Sequence, residues 1–125
     1  MEPGQHSPHI RVLVVEDDPL LLLSAIDMLE DAGFDAIPAA NADAAIRILE
    51  TRNDIRIVFT DIDMPGSMDG LKLAAAVRDR WPPVEIVVTS GHVHVDDGDL
   101  PARGRFFKKP YQADKVIDTM RAMVR

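Results

Sequence analysis

The chain has 125 residues, with 14 Lys and Arg against 21 Asp and Glu for a formal charge of −7, 46% apolar residues and no cysteine. That length suits one domain, and a chain of this size buries about two-thirds of its unfolded surface without needing a covalent staple. The totals exclude a disordered chain, disulfides and Cys-based zinc sites, the acidic balance argues against a nucleic-acid surface, and no apolar run, Leu20 to Leu23 included, comes near the ~20 residues of a membrane helix.

Residues 1–9 (MEPGQHSPH) are polar, contain two prolines, and lack the basic-then-apolar design of a secretory signal. A flexible leader and a cytoplasmic location are therefore expected, with the ordered domain spanning 10–125. Val12 to Val15 is a short β-branched run of the kind buried on both faces of a parallel sheet. Glu16-Asp17-Asp18-Pro19 follows it, a polar turn whose proline suits the first turn of a helix. Ala25, Ile26, Met28 and Leu29 then recur at helical spacing as far as Gly33, a C-terminal cap.

Phe34 to Ala39 reads as a second strand, which Pro38 confines to a sheet edge or a strand end. Asn41 suits the cap of a helix whose stripe is Ala45, Ile46 and Leu49. Ile55 to Thr60 is a third strand, a turn with Pro65, Gly66 and Gly70 follows, and a helix from about Asp69 to Arg80 stops at Pro82-Pro83. Val84 to Thr89 is a fourth strand, Phe106-Phe107 marks a fifth, and Gln112 to Val124 is a last helix with Val116, Ile117, Met120 and Met123 inward. Alternating strands and helices with short connections imply a parallel sheet with right-handed crossovers. The expected class is α/β, a flavodoxin-like doubly wound sheet of five strands in the order 2-1-3-4-5, with its site at the carboxyl ends of the strands.

Glu16, Asp17 and Asp18 follow strand 1, Asp61 follows strand 3, Thr89-Ser90 end strand 4, and Lys109-Pro110 follows strand 5. In a parallel sheet these positions converge on one rim. Clustered carboxylates raise one another's pKa unless a cation compensates. Hard oxygen ligands without His or Cys favour Mg²⁺, and a lysine and a hydroxyl opposite complete a pocket for a phosphoryl group.

Glu16-Asp17, Asp61 followed by Met64-Pro65, Thr89 and Lys109-Pro110 resemble the receiver domain of two-component response regulators over residues 10–125. Each motif alone is weak; four in order on the matching strands are specific. The resemblance implies that Asp61 is the phosphoacceptor, Asp17 a direct Mg²⁺ ligand, Glu16 a ligand through water, and the Asp63 backbone carbonyl a further contact. It implies that Lys109 pairs with Asp61 and then with the phosphoryl group across a cis bond to Pro110, that Thr89 bonds a phosphoryl oxygen, and that Phe106 is the aromatic switch residue. It further implies a single-domain regulator, not an enzyme beyond its own phosphorylation and dephosphorylation. Phosphate would come from a sensor histidine kinase or histidine phosphotransfer protein, and the phosphorylated form would engage a downstream protein target, with no nucleic acid or membrane partner.

Simpler roles suit several residues. Asp18 reads as a helix cap, Lys108 as a solvated neighbour of Lys109, Phe106 as core whatever else it does, and Trp81 as cover for a helix end. His92-Val93-His94 with Asp96, Asp97 and Asp99 lacks a full ligand set and reads as surface loop. The chain departs from the usual receiver pattern twice: Gly66-Ser67-Met68 makes the loop after Pro65 one residue longer, and Gly91, Gly98, Pro101 and Gly104 break the region of the fourth helix. A short, irregular or mobile segment is expected over 91–104. Asp63 adds a negative charge beside the site, and the leucine-rich first helix has more apolar residues than one buried face needs, so part of it can serve as a docking surface. The competing readings are a haloacid-dehalogenase-type phosphatase, suggested by Asp61-Ile62-Asp63 after a strand, and a pseudo-receiver that binds proteins without phosphoryl chemistry.

Overall fold

The computed structural model describes residues 9–64, 69–92 and 95–125. The expectations for the leader (residues 1–8), for Pro65, for the lengthened Gly66-Ser67-Met68 loop and for Val93-His94 of the His92-Val93-His94 grouping lie outside the described residues.

Five strands, β1 (Arg11–Val15), β2 (Asp35–Ala39), β3 (Ile55–Asp61), β4 (Glu85–Ser90) and β5 (Arg105–Lys108), form one parallel sheet in the order β2-β1-β3-β4-β5. The helices are α1 (Pro19–Asp31), α2 (Ala42–Thr51), α3 (Gly70–Arg80) and α4 (Ala113–Met123). Strand β2 is an edge, which is why Pro38 is tolerated there without an N–H to give.

Side-chain alternation divides the core in two. Leu13, Val15, Val58, Ile86 and Val88 pack with α2 and α3, through Ala45, Leu49, Leu73 and Val77. Val12, Val14, Ile57, Phe59 and Val87 pack on the opposite face with α1 and α4, through Ala25, Leu29, Val116 and Met120. Ile55 and Ile57 lie on opposite faces although two residues apart, because Arg11 pairs with Ile55 and Val12 with Ile57. The unmatched residue is exposed Arg56, so a local irregularity in β3 sends its charged side chain outward and restores alternation beyond it.

The helix ends follow their sequence signals. Asp18 accepts from the Leu20 and Leu21 amides at 2.9 and 3.3 Å with Pro19 in the first turn. Asn41 accepts from Ala44 at 2.8 Å, and Asp69 from Lys72 at 2.9 Å. Gly33 takes φ +94° just after α1, the left-handed conformation that glycine adopts without steric cost. Trp81 ends α3, donating its amide to Val77 O, and its ring carries the Arg80 guanidinium at 4.4 Å.

Among the described residues between β4 and β5, the only helical element is a three-residue 3₁₀ turn, Asp97–Asp99. Buried Val95 and half-buried Leu100 anchor the segment to the α2/α3 face. Its far end is tied by arginines: Arg78 Nε donates to Ala102 O at 2.8 Å, and Arg103 donates to Pro82 O at 2.7 Å.

At the amino ends of the strands, Arg52 grips Asp54 through two hydrogen bonds of 2.9 and 2.8 Å. The guanidinium holds the Asp54 carboxyl down at about 2, from an ordinary 3.8. A depressed carboxylate contributes stability that is present above its unfolded pKa and is lost as pH falls through 3.8 toward 2. Carboxyl-carbon NMR at low salt should place the Asp54 titration near 2. The value should move up toward the ordinary one in Arg52→Ala, and partway up with added salt because the pair is exposed.

Candidate functional site

The rim at the carboxyl ends of the strands is assembled by register. Asp61 closes β3 and pairs directly with Thr89 in β4, and the Ile62 amide donates to Thr89 O at 2.8 Å. The Lys109 amide donates to Ser90 O at 2.9 Å, extending the ladder one step past β5, and the Glu16 amide donates to Ala39 O at 3.1 Å past β1. Thus Glu16, Asp61, Thr89 and Lys109, up to 93 positions apart in the chain, share one edge. The Lys109–Pro110 bond is cis, as the resemblance implied.

Glu16, Asp61, Thr89 and Ser90 are all buried. The Lys109 ammonium reaches across from β5 to both carboxylates, 3.2 Å from Asp61 Oδ2 and 3.2 Å from Glu16 Oε1. The second contact extends the reading from sequence, which paired Lys109 with Asp61 alone. Burial raises the Glu16 pKa and nearby Asp61 adds to the rise, against the Asp18 amide and Lys109, which lower it. For Lys109, burial pulls the ammonium down, but the charges and hydrogen bonds of Asp61 and Glu16 outweigh it and the net direction is upward. The ammonium is thus a fixed positive charge at neutral pH.

Carboxylate oxygens of Glu16, Asp17 and Asp61 lie within 4.8 Å of one another, with Asp17 exposed and the other two buried. Such an all-oxygen set, lacking imidazole and thiolate, suits a hard divalent cation of the Mg²⁺ type. Asp18 stands apart from this group as a cap. The Asp63 side chain is also occupied elsewhere: Ser90 Oγ donates to Asp63 Oδ2 at 2.8 Å, the His92 amide donates to Ser90 Oγ at 3.1 Å, and the Asp63 amide donates to Asp61 Oδ1 at 3.2 Å. Phe106 pairs with Val88 in register and is half-buried against the α2/α3 face, a less complete burial than a core residue would show. Lys108 is exposed, in keeping with a solvated role.

Two contributors were not singled out from sequence. Ser90 was placed at the rim but given no task; its hydroxyl joins the end of β4 to the 61–63 turn. Tyr111, whose only signal was an aromatic directly after Lys109-Pro110, packs edge-on against Phe59 at 5.9 Å, and burial pushes its phenol up. Tyr111 and Phe59 help line a groove of about 540 Å³ that runs from Asp61, Thr89 and Lys109 between α1 and the start of α4. On α1 the first turns expose Leu20 (77%), Leu21 (47%) and Leu23 (56%), the surplus apolar surface expected there.

Comparison with known proteins bears on this site. The response regulator receiver domain family matches residues 12–121. The chain is similar to the nitrogen assimilation regulatory protein NtrX of Azorhizobium caulinodans, 34% identical over 90% of this chain and 26% of that protein. It is also similar to the response regulator protein FleR of Pseudomonas aeruginosa, 31% identical over 86% of this chain and 23% of that protein. The chain therefore spans about a quarter of the length of these curated relatives. Among solved structures, a response regulator receiver protein from Sinorhizobium medicae superposes with a TM-score of 0.86 at 26% identity, over 93% of this chain and 94% of that one. A receiver protein from Pseudomonas putida gives 0.82 at 27% identity, over 94% and 99%. With the sheet order, the family match sets aside the phosphatase reading of Asp61-Ile62-Asp63.

Gly70 provides a direct test of how the rim is held. A Cβ at this position would overlap the Asp61 carbonyl oxygen and sit 2.7 Å from Ile62 Cα, so α3 approaches the turn after Asp61 only because residue 70 has no side chain. Gly70→Ala is expected to destabilise the fold by about 1–3 kcal/mol, the usual cost of overpacking. It should also displace the Asp61 and Ile62 amide resonances; chemical denaturation with NMR checks both.

Proposed function

This chain belongs to the response regulator receiver family, and on that premise we propose that Asp61 accepts a phosphoryl group from a sensor histidine kinase or histidine phosphotransfer protein in a Mg²⁺-dependent reaction that switches binding of a downstream protein target. The observation that supports this reading most directly is the Lys109 ammonium held 3.2 Å from Asp61 Oδ2, beside a cluster of three carboxylates. A pair built only for stability would not need the additional acidic groups, since crowding them raises the cost of burial.

In this reading an Asp61 oxygen attacks phosphorus as a carboxylate nucleophile while the bond from phosphorus to the donor's histidine nitrogen breaks, its electrons leaving with the imidazole. Glu16, Asp17, Asp61 and the backbone carbonyl of Asp63 would hold Mg²⁺, which supplies charge neutralisation for the phosphoryl oxygens. Lys109 gives up part of its hold on Asp61 to pair with a phosphoryl oxygen while Glu16 keeps it at the rim, and the Thr89 hydroxyl donates to another. The family is a signalling domain rather than an enzyme family; the chemistry assigned to this chain is its own phosphorylation and dephosphorylation, and we place it in the cytoplasm. No helix among the described residues is long and apolar enough to cross a membrane. Thr89 and Phe106 are assigned the switch: Thr89 draws toward the phosphoryl group, Phe106 turns inward from its half-buried position, and the segment between β4 and β5 changes order.

Incubation with Mg²⁺ and acetyl phosphate, read by intact mass, should show one phosphoryl addition. The addition should vanish in Asp61→Asn and on chelation of the metal, and Lys109→Met should slow it by about 100-fold or more, as loss of an electrostatic donor does in other sites. No addition to the wild-type chain would favour the pseudo-receiver reading. For the switch, amide exchange across 91–104 with and without beryllium fluoride should differ; equal protection in the two states would remove that part of the proposal.

A further inference from the structure

Three hydrogen bonds run in unbroken series from Asp61 to the start of the segment between β4 and β5. The Asp63 amide donates to Asp61 Oδ1 at 3.2 Å, Ser90 Oγ donates to Asp63 Oδ2 at 2.8 Å, and the His92 amide donates to Ser90 Oγ at 3.1 Å. None of the three passes through Thr89 or Phe106. Ser90 is buried and His92 is exposed, so the series leads from the interior to the surface. Lys109 holds the other carboxylate oxygen, Asp61 Oδ2, at 3.2 Å. The two oxygens of Asp61 therefore serve different structures, Oδ2 the lysine and Oδ1 the turn that leads to Ser90.

We propose that this series of hydrogen bonds is a second route, separate from Thr89 and Phe106, by which phosphorylation of Asp61 releases the segment between β4 and β5; this rests on Asp61 being the phosphoacceptor. Asp63 and Ser90 are its positioning residues. A phosphoryl group on either Asp61 oxygen removes the carboxylate charge from Oδ1, and an uncharged acceptor holds its donor roughly half as strongly. The Asp63 amide then loosens, and the added phosphoryl charge repels the Asp63 carboxylate. Ser90 Oγ loses the acceptor that orients it, so the hydroxyl no longer holds the His92 amide in place. At the far end of the segment Arg78 and Arg103 keep their bonds to Ala102 O and Pro82 O, so release acts at the rim end alone.

The coupling is measured by residue-resolved amide exchange with Mg²⁺, with and without saturating beryllium fluoride whose binding is followed by fluorine NMR. In the wild-type chain beryllium fluoride should speed His92 exchange about threefold or more, as loss of one hydrogen bond of ordinary net strength does. In Ser90→Ala the His92 amide should exchange fast from the outset and respond little further, while phosphorylation by acetyl phosphate, read by intact mass, persists. Asp63→Ala should match Ser90→Ala in exchange, and Asp63→Asn, which keeps an acceptor oxygen, should restore part of the response. Thr89→Ala at the same saturation should retain the His92 response. A His92 amide unchanged in the beryllium-fluoride-bound wild type, an undiminished response in Ser90→Ala and Asp63→Ala, or a response lost as fully in Thr89→Ala would each overturn the second route and leave Asp61 as acceptor. Absence of both phosphoryl addition and beryllium fluoride binding in the wild type would instead overturn the phosphoacceptor reading, and the route with it.

Discussion

The rim is organised by the repulsion among carboxylates and its relief by Lys109. Two buried acids from different strands, Glu16 and Asp61, each lie 3.2 Å from the same ammonium. Two carboxylates buried close together repel one another, and a lysine between them offsets that repulsion. The cost is that Lys109 is itself partly drawn out of water. The same balance makes the site responsive: any group that neutralises Asp61 changes what Lys109 is bonded to.

The rest of the fold delivers those groups to one place. The two faces of the sheet bury separate apolar clusters, one under α2 and α3 and the other under α1 and α4. This double burial is why the strands are nearly continuous β-branched runs, and it makes register costly to shift, because a slip of one residue exchanges the two faces. Register in turn sets Asp61 opposite Thr89 and brings the Lys109 amide to Ser90. Close packing at Gly70 and the Ser90–Asp63 hydrogen bond then brace the turn that follows Asp61.

The segment between β4 and β5 is held differently from the helices that cover the sheet. Its described part has a three-residue 3₁₀ turn and a few apolar anchors, with arginine contacts to backbone carbonyls at its far end. Few buried apolar contacts mean a low cost of local rearrangement. The segment leaves β4 directly after Thr89 and Ser90 and its apolar anchors pack in the same cluster as Phe106, so a lightly anchored part of the described chain adjoins the rim.

Much of this was legible in the sequence. Alternating β-branched runs and amphipathic helices dictated the parallel α/β order, because strand and helix periods are local properties of the chain. Asp18, Asn41 and Gly33 announced the helix ends through their own backbone preferences, and the glycines and Pro101 marked the broken fourth helix. The residues at the carboxyl ends of the strands could be collected as one site because parallel topology sends every such end to the same edge. Which lone pairs and protons meet there is a different kind of fact. That Lys109 serves Glu16 as well as Asp61, that the Asp63 carboxylate accepts from Ser90, and that Tyr111 lines an apolar groove next to Asp61, Thr89 and Lys109 were decided only by the tertiary structure. Those contacts depend on side-chain reach across strands that are distant in the chain, and no local pattern encodes that distance.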